Sequence, residues 1–96
     1  MAEPKVPCTP EAMEALRLAK AAAIRGNLIP TRHAKSRMRE RGAQVKDVEN
    51  AIDGATVARL QDSGAWRLSG GVDLEGDELD VIVDVGWDPI RVVTIM

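Results

Sequence analysis

The stretch Val45–Leu60, VKDVENAIDGATVARL, decides the fold because the spacing of its apolar residues changes at Gly54. Before this glycine, Val45, Val48 and Ile52 recur at the intervals of a helix. After it, apolar and polar residues begin to alternate, which is typical of a strand. A helical N-terminal part and a sheet-forming C-terminal part therefore meet at this glycine.

Toward the N-terminus, two further helices are indicated by their end signals. Thr9 followed by Pro10 is typical of a helix start, and Gly26 of a helix end. Thr31 and Gly42 bracket a second helix in the same way. We expect helices over about residues 10–25, 32–41 and 44–53, with residues 27–30 as a linker.

Toward the C-terminus, breaks that contain glycine separate short segments of alternating apolar residues, which predicts an antiparallel meander. Four strands are expected near residues 55–60, 65–70, 79–85 and 90–96. Helices two and three can cover one sheet face. The other face, to which we assign Ile82, Val93 and Ile95, needs the first helix or a partner protein as its cover. The expected fold class is α+β, with N-terminal helices packed on a four-stranded antiparallel sheet.

The composition indicates one small domain, since the chain has 96 residues of which 45% are hydrophobic. We expect a flexible lead-in over residues 1–8 and a single α+β domain over residues 9–96. Cys8 is the only cysteine, and no segment has the pattern of a leader or a membrane span, so a cytoplasmic protein is expected. The acidic run DLEGDELD of residues 73–80 lacks the ordered oxygen ligands of a calcium loop. We therefore expect no metal and no cofactor.

The cations are concentrated in the segment Arg32–Lys46, RHAKSRMRERGAQVK, which holds the only histidine and six of the thirteen lysines and arginines. His33, Arg37 and Arg41 recur every four residues, so on a helix they form a row along one face. A solvated face is the ordinary interpretation of such a row. A site for a polyanion is the functional interpretation.

Several short motifs resemble a widespread family of small uncharacterised bacterial domains. These are the pattern HA..RM..RG of residues 33–42, DV..AI of residues 47–52, WRLSG of residues 66–70 and a closing VVTI. The resemblance covers residues 31–96, and the family is similar to the RelE/ParE superfamily, especially its BrnT- and MqsR-like toxins. It implies a RelE-like fold and a type II toxin that cleaves messenger RNA without a metal and is held inactive by an antitoxin.

RNA cleavage without a metal requires proton transfer and stabilisation of charge on the phosphate. We predict that His33 is the general acid or base, because it is the one side chain of a type that titrates near neutrality. Arg67 is predicted to stabilise transition-state charge, and Arg37, Arg41 and Arg91 to bind RNA. We also expect the row that contains His33 to share one concavity with Arg67.

Each of these assignments has a structural alternative. His33 can hydrogen-bond a neighbouring backbone group, and Arg67 can pair with Asp80 or Asp84. The two tryptophans are expected in the core or an interface rather than as platforms for bases. The alternative function is a noncatalytic interaction module that binds a protein or nucleic acid, or associates with itself through the sheet face.

Overall fold

The computed structural model describes residues 9–96, and the predicted flexible lead-in lies outside them. Within the described range the chain forms three helices and five strands, which confirms the α+β class. Their order is α1 (Pro10–Arg25), β1 (Leu28–Pro30), α2 (Arg32–Arg41), α3 (Val45–Gly54), β2 (Val57–Leu60), β3 (Trp66–Ser69), β4 (Val81–Asp84) and β5 (Ile90–Ile95). None of these helices is long and apolar enough to span a membrane.

The predicted helix ends are confirmed by their capping interactions. The hydroxyls of Thr9 and Thr31 each accept a hydrogen bond from the backbone N–H three residues later, at 3.1 Å. Gly26 and Gly42 end α1 and α2 with φ angles of 70° and 75°, a left-handed conformation that glycine adopts without steric cost. The ends of α1 and α2 therefore have a local explanation in their capping residues.

The sheet is mixed and has the order β1-β5-β4-β3-β2. Strands β2 to β5 form the predicted antiparallel meander. The expectation of a linker over residues 27–30 and of a purely antiparallel four-stranded sheet is wrong, because β1 pairs with β5 in parallel, with Leu28 opposite Ile90 and Pro30 opposite Val92. Proline lacks a backbone N–H and is tolerated in a strand at the sheet edge. This short pairing joins segments far apart in the sequence, so no local pattern predicts it.

All three helices contribute to one core on one face of the sheet. Helix α1 packs on α3 and β2, and α2 packs on β5 and β1. The expectation that helix α1 covers the second face of the sheet is therefore wrong. The buried core includes Ala19, Ala34, Met38, Val48, Ile52, Leu68, Val81, Val83 and Val92.

A β-bulge in β5 changes which of its residues enter the core. Ile82 lies opposite Thr94, but the next residue, Val83, lies opposite Val92, so that β5 contains one extra residue. The shift turns Ile95 into the core, where it is 1% exposed. The predicted assignment of Ile95 to the same face as Ile82 is therefore wrong.

No helix within residues 9–96 covers the opposite side of the sheet, which we call the open face. Because residues that pair across strands point to the same side, the register defines its members. Its strand positions are occupied by Ile29, Val57, Arg59, Arg67, Ser69, Ile82, Asp84, Arg91 and Thr94. This face is a mixture of aliphatic and charged side chains.

Candidate functional site

Helix α2 presents its cations to solvent. Ala34 and Met38 are buried against the sheet, while His33 is exposed and its side chain forms no hydrogen bond or ion pair with the described chain. The Nε atom of Arg37 lies 3.7 Å from a carboxylate oxygen of Glu40, and both side chains are largely exposed. An exposed pair of this kind contributes little to stability, about 0–1 kcal/mol. The predicted row is thus mostly solvated.

Arg41, the third member of the row, has a structural function. Its Nη1 atom donates to the carbonyl oxygen of Met96 at 2.6 Å, and its Nη2 atom donates to the carbonyl oxygen of Glu78. These bonds join the C-terminal end of α2 to the end of β5 and to the segment that leads into β4. At the other end of α2, the hydroxyl of Thr31 donates to the carbonyl oxygen of Val93 at 2.9 Å. Both ends of the helix are therefore tied to the sheet.

Arg67 lies on the open face and is held by Asp80. Its Nε atom donates to the Oδ2 atom of Asp80 at 2.8 Å, and its Nη2 atom lies 2.8 Å from the same oxygen. The Ser69 hydroxyl donates to that oxygen at 3.0 Å. The pairing of Arg67 with Asp80 is the structural alternative that the sequence had left open. It fixes the plane of the guanidinium, and the Nη1 donors remain for another acceptor.

Arg59 is a residue that sequence reasoning missed. It lies directly opposite Arg67 in the β2–β3 pair, and its guanidinium forms no hydrogen bond or ion pair within the described chain. The two arginines line a cavity of about 310 Å³ together with Val57, Gln61, Ser69 and Asp80. A hairpin turn over residues 61–65 places these two positions opposite each other. The sequence could have indicated this pair only if the register of the two strands had been known.

Arg91 also belongs to the open face, where it contacts an aromatic ring. Its guanidinium carbon lies 3.8 Å from the centroid of the Trp87 ring. The ring nitrogen of Trp87 donates to Asp84 at 3.0 Å, and Asp84 lies opposite Arg91 in the β4–β5 pair. Trp87 is 50% exposed, so of the two positions expected for it, core or interface, the core does not apply.

The structure does not bring His33, Arg37 and Arg67 into one concavity. Arg37 and Arg41 line a cavity beside the end of β5, with Glu40 and the last residues of the chain. Arg67 lies two strands away on β3 and points to the face opposite the one that α2 covers. The predicted shared concavity is absent, because α2 packs over β5 and β1 on one side of the sheet and Arg67 extends from the other side.

Asp47, in the DV..AI motif, has a structural role. The two carboxylate oxygens of Asp47 accept hydrogen bonds from the backbone N–H groups of Gln44, at 2.8 Å, and Leu74, at 3.0 Å. These bonds lower the pKa of Asp47, because they stabilise the carboxylate. Asp47 thus caps the start of α3 and holds the β3–β4 loop.

The described residues contain no cluster of histidine, cysteine and carboxylate side chains that could bind a metal ion.

These observations define a small α+β domain with an arginine-lined cavity on the uncovered face of its sheet. A family model described as "Domain of unknown function (DUF4258)" matches residues 31–96, which is more than half of the chain. The chain belongs to this family, and the resemblance to a family of small uncharacterised domains is confirmed. Helix α1 and strand β1 lie outside the matched segment. No curated protein and no solved structure matches the chain.

Proposed function

We propose that the protein binds RNA on the open face and is a toxin of the RNA-cleaving kind, with Arg59 and Arg67 at the scissile phosphate. The observation that carries this proposal is the position of the two arginines directly opposite each other in one cavity. The proposal keeps the role that the sequence suggested for Arg67. It adds Arg59, and it moves the phosphate site from α2 to the sheet.

The charges of this cavity favour an anion. Like charges directly opposite each other in a sheet are destabilising, and Asp80 is the one carboxylate among the lining residues. The cluster of Arg59, Arg67 and Asp80 therefore keeps an excess positive charge. A phosphate between the guanidinium groups would relieve their repulsion and accept hydrogen bonds from their free N–H groups. Arginine suits this role because its N–H donors form a rigid fork.

The chemistry available in this cavity is charge stabilisation. In the cleavage step the 2′-oxygen of the RNA bonds to phosphorus, the bond from phosphorus to the 5′-oxygen breaks, and a 2′,3′-cyclic phosphate and a 5′-hydroxyl result. Solvent accepts the proton of the 2′-hydroxyl and supplies one to the 5′-oxygen. Arg59 and Arg67 stabilise the additional negative charge of the phosphorane-like transition state. His33, proposed from the sequence as the general acid or base, lies outside the cavity on α2.

A RelE-like fold is part of the same proposal. Two observations support it: a helical pair, α2 and α3, precedes an antiparallel meander, and that meander leaves one face open. The segment that carries the resemblance begins at residue 31, so α1 is an addition that packs on α3 and β2. An antitoxin would inactivate such a protein by covering the open face.

Controlled expression of the wild-type chain tests the proposal. We expect slowed growth and loss of messenger RNA, and the purified protein should cleave single-stranded RNA in the presence of a chelator. Affinity for uncleavable 2′-O-methyl RNA should fall with salt, and Arg59→Ala should lower the slope of log affinity against log salt by about 0.7, the value for one phosphate contact on a single strand.

Arg17→Ala is the control, because it likewise removes one arginine side chain, but from the exposed surface of α1, where Arg17 is paired with Glu14. It should leave growth arrest, cleavage and salt dependence unchanged. A harmless wild-type protein that neither cleaves RNA nor binds it in a salt-sensitive manner would contradict the proposal.

The aliphatic residues of the open face favour a second candidate, a noncatalytic interaction module. Ile29 is 49% exposed and Ile82 is only half-buried, and such residues mark protein interfaces. If the protein associates with itself through this face, Ile82→Asp should produce monomers in sedimentation experiments. Ile24→Asp is the control, since Ile24 is 76% exposed on α1. A monomeric wild-type protein would count against this form of the module.

A further inference from the structure

We propose that Trp87 and Arg91 form a platform on which one unpaired base of single-stranded RNA stacks while its neighbouring phosphates bind Arg59 and Arg67. The inference rests on the proposed function and specifies its substrate, which is single-stranded RNA with an accessible base rather than a duplex.

The aromatic residues of this chain are few, which makes the position of Trp87 informative. The sequence contains two tryptophans and neither phenylalanine nor tyrosine. Trp66 packs against the core, whereas Trp87 remains 50% exposed. A chain of this size gains most from an aromatic ring when it is buried. We therefore expect an exposed ring on the same face as the arginine pair to bind a partner. Every nucleobase has a flat π surface that can stack on such a ring.

The ring is held in a fixed orientation. Asp84 accepts a hydrogen bond from the Trp87 ring nitrogen at 3.0 Å and another from the Gly86 backbone at 3.1 Å. The β4–β5 turn is also tied to the segment after α1, because the Asn27 side chain donates to Asp88 at 2.7 Å. A ring that is oriented before binding loses less conformational entropy when a ligand stacks on it.

Arg91 extends the platform. Its guanidinium already stacks on the Trp87 ring at 3.8 Å, and the Arg91 side chain is itself exposed. Bases stack on arginine planes as well as on aromatic rings, so that a base can continue the stack of ring and guanidinium. The positive charge of Arg91 is at the same time available to an adjacent phosphate.

The platform and the phosphate site lie within reach of one strand of RNA. Arg67 and Arg91 are on the same face, two strands apart and offset by two residues along β4. Ordinary sheet spacings place their backbones about 12 Å apart. A few nucleotides span this distance. A duplex would keep its bases stacked on each other and could not insert one here.

Binding of two uncleavable 2′-O-methyl oligonucleotides, one intact and one with every base removed, tests the platform. They carry equal numbers of phosphates, so they differ in their bases and not in their charge. The intact strand should bind about ten- to a hundredfold more tightly, as expected for one stacked base, and it should quench the fluorescence of Trp87. Trp66→Phe isolates that signal. If this variant does not fold, the difference between the wild type and Trp87→Phe reports the same ring.

Substitutions of the ring separate stacking from a general effect on the surface. Trp87→Ala should weaken binding of the intact strand about ten- to a hundredfold and leave the abasic strand unchanged, whereas Trp87→Phe should retain most of the affinity. Ile24→Ala, which removes an exposed aliphatic side chain on α1, is the control and should change neither. Binding of a duplex of the same sequence should not involve the ring, so Trp87→Ala should leave the affinity for the duplex unchanged.

The outcomes distinguish the platform from the proposed function. Equal affinities for the intact and abasic strands, with salt dependence and unchanged Trp87 fluorescence, would overturn the platform and leave the phosphate site standing. Failure of both strands to bind would overturn both proposals. Quenching of Trp87 by self-association at increasing protein concentration, without any effect of RNA, would assign the ring to a protein interface and likewise overturn the platform.

Discussion

Helix α2 and the open face both concentrate cations, but they differ in how those cations are held. On α2, His33 and Arg37 extend into solvent and have at most one weak ion pair. On the open face, Asp80 fixes the guanidinium of Arg67, and the Trp87 ring stacks with that of Arg91. A site needs oriented groups, because ordering flexible side chains costs conformational entropy. The comparison shows that a cationic row conspicuous in the sequence need not be the better-organised surface.

Substitution of Arg67 is expected to have the largest effect. Arg67→Ala should reduce the rate of RNA cleavage about 10²–10³-fold, the usual cost of losing one group that stabilises transition-state charge. Single-turnover cleavage of a defined RNA in a chelator is the measurement. Arg67→Lys keeps the charge but loses the rigid fork, so it should restore affinity more than rate. Full activity in Arg67→Ala would move the site back toward α2.

Asp80→Asn should change binding and cleavage in opposite directions. Removing the carboxylate increases the positive charge of the cavity, so the affinity for RNA should rise and the salt slope should steepen by about 0.7. The cleavage rate should fall, because Arg67 loses the partner that orients it. Comparison of single-turnover rate with affinity separates these effects. If the affinity and the cleavage rate of Asp80→Asn rise together, Asp80 only weakens binding and does not position Arg67.

The sequence predicted some of this arrangement and not the rest, for physical reasons. Helix ends follow from local chemistry, so Thr31 and Gly42 sufficed to delimit α2. Arg59 escaped notice because its importance depends on the register of a hairpin, which brings it opposite Arg67 only once the strands pair. The bulge in β5 is not visible in the alternation of apolar and polar residues along the sequence. Long-range pairing is likewise the reason that β1 was missed.

Arg41→Ala should distinguish a structural arginine from a binding arginine. Its two hydrogen bonds to the carbonyl oxygens of Met96 and Glu78 join α2 to the sheet, so their loss should reduce the free energy of unfolding by about 1 kcal/mol. Urea denaturation measures this change. RNA affinity should remain that of the wild type. A drop in affinity without a drop in stability would assign Arg41 to RNA binding, as first predicted from the sequence.

Asp47 should make the stability of the domain depend on pH. The backbone N–H groups of Gln44 and Leu74 lower its pKa in the folded state below the unfolded value. Its contribution to stability is therefore present above the unfolded pKa, near pH 4, and is lost as the pH falls through the folded value. Asp47→Asn should be less stable than the wild type at neutral pH, and the two should converge in acid when unfolding is measured by urea titration. A constant difference at all pH values would contradict this role.

His33→Ala should have the smallest effect, and it tests the comparison most directly. A general acid or base contributes about 10²–10⁴-fold to a rate, whereas a solvated helix residue outside the cavity should change the rate by less than about twofold. The reason is geometric: α2 packs over β5 and β1, while the arginine pair lies on the opposite side of β2 and β3.

The rate of RNA cleavage should be measured between acid and mildly alkaline pH for the wild type, His33→Ala and a control, Lys35→Ala, which removes another exposed cation of α2. The three profiles should have the same shape. A large loss confined to His33→Ala, with the stability unchanged, would mean that RNA bridges the two surfaces and that the imidazole acts on a phosphate held by the sheet.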